Sequence, residues 1–241
     1  MALPKIQAAT QTFTLPLMNR KITYRRFLVK EEKILLMAAE SGEQADLMQA
    51  FKQVLTNCIV DEDIHVSDIP MFDLELLFLL LRINSVSDIA DIRITDPVDE
   101  NEYDLSINLT DVVKEIAAKT VAPERQIQLT EDIGVVMKYA TIAQAEDQNL
   151  FETTLKAADA YSLLGSMIEK VYDKDNVYIV KDFTKDEILD FVESFTPDAM
   201  KKIEGYINSI PTLKYEIPYK RKDGSDATFK LEGLGDFFPY L

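Results

Sequence analysis

The stretch IPMFDLELLFLLLRINSVSD, residues 69–88, decides how the rest of the chain has to fold. Leu74 and Leu76 to Leu81 follow one another almost without a polar break, so a helix here is apolar all round and must be covered on every side. Asp73 stands where a carboxylate accepts hydrogen bonds from the free N–H groups of a first helical turn. Arg82, Asn84 and a Ser/Asp cluster end the run. Between Asp73 and Arg82 the chain, Glu75 included, falls far short of the ~20 apolar residues that cross a bilayer. The expected element is the central helix of a soluble domain.

Working upstream, Phe13, Leu15 and Leu17 alternate with polar residues, Met18-Asn19-Arg20 offers a turn, and Ile22 and Tyr24 resume the alternation. That period of two predicts a half-buried β-hairpin. Phe27 to Ala39 then switches to helix, which Ser41-Gly42 closes. From Glu43 to Cys58 the residues Leu47, Ala50, Phe51, Val54, Leu55 and Cys58 recur at spacings of three and four, one stripe of an amphipathic helix. An acidic link, Asp61 to Asp68, leads into the central helix.

Downstream of Asp91 the spacing predicts a small antiparallel sheet: Ile92 and Ile94, a turn at Asp96-Pro97, Leu105, Ile107 and Leu109, then Ile127, Leu129 and Ile133 to Tyr139. A long helix is expected over Asn149 to Tyr172, weakened or bent at Gly165. Tyr178 to Val180 reads as a short strand. Thr184 and Glu187 form a capping box for a helix through about Ser194, and Thr196 caps the next, with Pro197 in its first turn. Leu213, Tyr215, Ile217 and Tyr219 alternate, Asp223-Gly224 turns the chain, and Phe229 and Leu231 return as a closing hairpin. The expected class is α+β: an N-terminal β-hairpin and short helical bundle, a small antiparallel sheet, and a second helical region closed by a C-terminal β-hairpin. The softest cuts fall near residues 90 and 140, giving segments 1–90, 91–140 and 141–241, or one compact domain.

Acidic residues outnumber basic ones by 42 to 26, a formal charge of -16 that repels nucleic-acid phosphates and anionic lipid. The basic clusters Arg20, Lys21, Arg25, Arg26 and Lys220, Arg221, Lys222 lack an interleaved aromatic stacking platform. Cys58 is the only cysteine, which excludes an intrachain disulfide framework and fits a reducing cytoplasm. MALPKIQAATQTF lacks an uninterrupted apolar secretory core, so the chain is expected to be made and kept soluble, without membrane insertion.

Candidate chemistry is sparse. His65, the sole histidine, lies among Asp61, Glu62, Asp63, Ser67 and Asp68, but no G-x-S-x-G elbow accompanies it. Asp96, Asp99, Glu100, Glu102 and Asp104, and likewise Asp173, Asp175 and Asp182, offer hard oxygen ligands, yet neither run fits the twelve-residue calcium loop. Gly233-x-Gly235 is no dinucleotide fingerprint. The expectation is no enzyme, no cofactor and no metal. What remains is interaction chemistry in GLGDFFPYL, residues 233–241: Leu234, Phe237, Phe238, Tyr240 and Leu241 either fold back onto the closing hairpin or insert into a partner pocket. Fold-back is favoured for Phe237 and Phe238, with Tyr240 and Leu241 left freer.

Three motifs carry a resemblance. The aromatic-Asp-x-Glu start at Phe72, Asp73 and Glu75, the LF-x-x-LR run (Leu77, Phe78, Leu81, Arg82) and Ser85-Val86 form the first, YRRFLVKEEK over Tyr24 to Lys33 the second, and GLGDFF over Gly233 to Phe238 the third. In this order they resemble the baseplate hub assembly proteins of T4-like contractile-tailed phages. The resemblance implies a late, non-enzymatic tail assembly factor that acts in the host cytoplasm and promotes hub assembly by binding other baseplate hub or tail proteins. A structural subunit retained in the virion baseplate is the alternative, and a small acidic hydrolase using His65 the remote one. Some relatives carry cysteine pairs in hairpins comparable to Ile92–Leu109 and Lys214–Leu231. This chain has none there, so no zinc role carries over and Pro97 to Asn101 and Lys222 to Ser225 are expected to be plain turns. Glu75 and Arg82, which a buried core does not require, are the first places to look for a buried ion pair or a partner contact.

Overall fold

Alternation and helical spacing alternate along the chain much as the sequence predicts. The computed structural model describes residues 8–147 and 157–237. Strands β1 (Thr10–Leu15) and β2 (Arg20–Arg25) form the opening hairpin, and Asn19 takes a left-handed φ of 49° in its turn. Helix α1 (Val29–Ser41) ends on Gly42 at φ 70°, followed by α2 (Gln44–Cys58) and the central α3 (Met71–Ser85). Strands β3 (Ile89–Thr95) and β4 (Glu102–Asn108) make a second hairpin, and α4 (Leu109–Lys119) follows. Next come β5 (Gln126–Gln128), β6 (Gly134–Met137), α5 (Ile142–Asp147), α6 (Ala157–Ser166), β7 (Ile168–Tyr172) and β8 (Val177–Ile179). The chain closes with α7 (Lys185–Glu193), α8 (Pro197–Ser209), the hairpin β9 (Lys214–Lys220) and β10 (Asp226–Glu232), and the short α9 (Gly233–Phe237). This is a mixed helix-and-strand fold with small antiparallel sheets and a C-terminal hairpin. Among the described residues no helix is long and apolar enough to cross a membrane.

Two compact units emerge, and the chain passes between them more than once. The first comprises Met1–Val66, Phe72–Thr120 and Thr212–Leu241; the second comprises Ser67–Met71 and Val121–Pro211. The expected cuts near residues 90 and 140 therefore fall inside units rather than between them. The reason lies in pairing at long range: the closing hairpin is fastened to the β3–β4 hairpin, 123 residues earlier in the chain.

In the first unit α3 is covered nearly all round, with Leu74, Leu76, Leu77, Phe78, Leu79 and Leu81 buried. Each such side chain contributes about 1.5–3 kcal/mol on leaving water. Phe78 meets Phe51 of α2 edge-on, ring centroids 4.5 Å apart.

In the second unit the sheet runs β5-β6-β7-β8, antiparallel throughout. Val135, Ile168, Val180, Val192 and Ile203 centre its core. Both expected caps form: Thr184 and Glu187 bond reciprocally at the start of α7, and the Ala199 N–H donates to Thr196 Oγ1.

Two expectations need correction. The helix expected over Asn149–Tyr172 ends at Ser166, and Ile168–Tyr172 is a strand, because it pairs with β6 on one side and β8 on the other. Residues 149–156 of that stretch lie outside the described part. Gly165 stands one residue before the end of α6, where a Cβ would come within 2.8 Å of Ile188 Cγ2, so glycine sets how closely α7 approaches. The region 91–140 is also not all sheet. Asn108 accepts from the Asp111 N–H and starts α4, whose Val112, Val113 and Ile116 are buried at helical spacing.

Candidate functional site

The polar residues of α3 each reach a different neighbour within the first unit. Asp73 does not cap its own helix as expected. Its carboxylate, fully buried, accepts from the Leu17 N–H at 3.0 Å and the Met18 N–H at 2.8 Å, so it holds the turn of the β1–β2 hairpin. Burial raises its pKa while the two N–H groups lower it, with burial prevailing. Asn84 donates to the Tyr24 hydroxyl at 3.0 Å, and Ser85 Oγ accepts from the Phe27 N–H at 2.9 Å. Glu75 takes the Leu213 N–H, just before β9. Arg82 donates to the Ser87 carbonyl at 2.9 Å. Glu75 and Arg82, singled out from sequence, are thus both half-buried, each with a backbone partner of its own.

The other two sequence motifs are fasteners as well. Arg25 at the end of β2 meets the buried Glu31 of α1 at 2.9 Å, and the Leu28 N–H donates to the same carboxylate. At the C-terminal end the Glu232 N–H donates to Asp236, and Phe237 is fully buried. Phe238, Tyr240 and Leu241 lie outside the described residues, and the Leu234 side chain is likewise undescribed.

The turns at residues 97–101 and 222–225 are not plain. Asp96, fully buried, receives the Tyr219 hydroxyl and Arg221 Nε, the latter at 2.8 Å, while its other oxygen takes the Val98 and Asp99 N–H groups. The hydrogen bond from Tyr219 leads the causes that hold the Asp96 carboxyl down at about 2. Tyr103 donates to Asp99 and accepts from the Lys222 N–H, and Lys222 Nζ reaches Asn101 Oδ1 at 2.7 Å. Polar side chains, together with the Tyr103 and Tyr219 rings at 5.1 Å between centroids, therefore join the tips of two hairpins. Asp-Pro at one turn and Tyr-x-Arg at the end of an alternating strand were the visible signs, but nothing local couples them across 123 residues.

His65 is exposed, and two of the acids near it are engaged elsewhere: Asp61 accepts from the Thr23 N–H and Asp63 pairs with Arg20. Cys58 is buried, and burial pushes its thiol up to about 11, away from the reactive thiolate. Among the described residues no group of three or more His, Cys, Asp or Glu is placed to hold a metal ion. What the first unit offers is a set of turns with preset conformations.

Glu75 gives this unit a pH response. Burial pushes its carboxyl up to about 7, above its ordinary 4.5, so the folded chain holds the proton more tightly than the unfolded one. The stability this supplies is complete below about pH 4.5 and is lost as pH rises through about 7. Glu75→Gln keeps an acceptor for Leu213 without the charge. Urea unfolding should find it more stable than the wild type by about 2 kcal/mol at pH 8 and indistinguishable at pH 5. An equal gain at both values would contradict the assignment.

Comparison with known proteins adds one match. The family described as T4 bacteriophage base plate protein matches residues 8–239, which takes in both units. No curated protein and no solved structure matches the chain.

Proposed function

The chain belongs to the T4 bacteriophage base plate protein family, and from that premise we propose that it is a non-enzymatic assembly factor, promoting formation of the baseplate hub by binding other hub proteins. Membership itself carries the broader statement: a baseplate-associated role, structural or in assembly, among other baseplate or tail proteins, in the virion or the infected cell.

The observation that supports the finer reading is the fastening of the hairpins. Asp73 fixes one turn, and the Asp96, Tyr219 and Arg221 network fixes two more. Turns ordered before contact lose less conformational freedom on binding, which is what a protein that presents surfaces to partners requires. The charge of -16 acts in the same direction, steering basic partner surfaces inward while keeping copies of the chain apart. The non-enzymatic reading is supported by Asp61 and Asp63 beside His65, which are committed to the Thr23 N–H and to Arg20.

Co-expression with the hub proteins of the same phage tests this. Soluble hub complexes are expected to accumulate only when this chain is present; unchanged solubility and assembly without it would overturn the proposal. Mass spectrometry of purified virions then sorts factor from component. Stoichiometric retention in the baseplate would replace the assembly factor by a structural subunit.

A further inference from the structure

Two hairpins of the first unit, β3–β4 and β9–β10, protect their open sides with charge: Arg93 pairs across the strands with Asp104, Lys214 with Glu232, Lys220 with Asp226 and Lys230 with Glu216. Such charges keep an open strand from recruiting another chain. Strand β8 of the second unit has no such protection. It is the last strand of its sheet, and its residues Val177, Tyr178 and Ile179 are 65%, 38% and 41% exposed, with Phe183 beside them at 42%. Among the described residues only β7 pairs with it.

Two cavities flank this edge. Val171 and Tyr178, directly opposite each other in the β7–β8 register, line one of about 350 Å³ together with Ile133, Phe183 and Phe191. Lys170 and Ile179, the next pair and so on the other face, line a second of about 630 Å³, where Lys138, Lys181 and Lys185 join them. Glu169 also lines this cavity, but its carboxylate is taken by Arg125 and lies 3.7 Å from Lys170. Four lysines thus gather around one hollow in a chain whose net charge is -16.

We infer that β8 is the docking edge for an extended segment of a partner protein in which apolar and acidic residues alternate. Successive side chains of an added strand point to opposite faces. A residue opposite Tyr178 enters the apolar cavity, and its neighbour, opposite Ile179, meets the lysines. Backbone pairing supplies affinity, and the alternation supplies selectivity. A second copy of this chain fits poorly, because its own edge, Val177-Tyr178-Ile179-Val180, has no carboxylate to offer the lysine side. The inference rests on the reading that the chain works by binding other proteins, and it names the chemistry of one partner segment.

A labelled synthetic peptide of alternating glutamate and phenylalanine or isoleucine, titrated into the full chain and followed by fluorescence anisotropy, is the test. Saturable binding is expected, with slowed hydrogen exchange at the amides of 177–179. Lys181→Glu combined with Lys185→Glu, both exposed, should weaken it at least tenfold, and a peptide with lysine in place of glutamate should recover affinity for that variant. Absence of saturable binding, indifference to the charge reversal, or self-association of the wild type with those amides protected would each overturn the inference. Peptide binding without any effect in co-expression would remove the assembly reading and leave the edge site standing; the opposite pair of results would remove the edge site alone.

Discussion

Phe78→Ala is expected to destabilise the first unit by about 3–5 kcal/mol, the cost of emptying a fully covered aromatic site. Phe78 is 1% exposed on a helix most of whose other apolar residues are also buried, so neighbouring side chains have little freedom to close the gap. Its ring lies edge-on to Phe51 of α2, and losing that pair adds about 0.5–1.5 kcal/mol beyond the area effect. A loss of that size removes much of a typical domain's stability of about 5–15 kcal/mol. Equilibrium unfolding in urea, read by far-ultraviolet circular dichroism, should show an early transition for the first unit while the second unit's remains. A loss under about 1 kcal/mol would mean that α3 is not the covered centre described above.

Asp73→Ala is expected to cost about 2–4 kcal/mol, although it removes only a carboxylate. Two N–H groups, of Leu17 and Met18, depend on it; the first is buried and the second partly so. A buried donor left without an acceptor costs about 1–3 kcal/mol, so two together exceed the typical cost of a lost helix cap, about 1 kcal/mol. The two roles are separable by location. If Asp73 holds the hairpin turn, the variant should speed hydrogen exchange at the amides of Leu17 and Met18 and leave the first turn of α3 unchanged. Faster exchange confined to residues 72–76 would restore the capping role.

These two residues mark what the sequence can and cannot disclose. Phe78 was legible because burial leaves a local trace: an unbroken apolar run has to be covered, whatever covers it. The hairpins were legible for the same reason, through strict alternation and turn residues such as Asp223-Gly224. The hairpin-holding role of Asp73 was not, since its partners lie 55 and 56 residues away and a helix-start carboxylate has an obvious local use. The Asp96 network was hidden in the same manner by turn composition that explains itself locally. Strand β7 was lost to helix because Ile168 and Val171 fit a helical stripe as well as a strand, and only pairing to β6 and β8 decides between them. Helix α4 could have been found: Asn108 as cap, followed by Val112, Val113 and Ile116 at helical spacing, was there to read.

The resemblance was carried by residues that a core does not require, and the structure gives those residues mechanical duties. Asp73, Glu31 and Asp236 each bind backbone N–H groups where two elements meet, and Ser85 does the same for Phe27. Such residues tie the hairpins to the helices beside them, and we propose that they thereby fix the surfaces a partner meets. In a family of baseplate proteins that is the property assembly would depend on.

The most direct measurement is electron microscopy of cells infected with phage lacking this chain. Phage heads without complete baseplates are the predicted result, with normal baseplates returning when the chain is supplied from a plasmid. Complete baseplates at undiminished number in its absence would contradict the account.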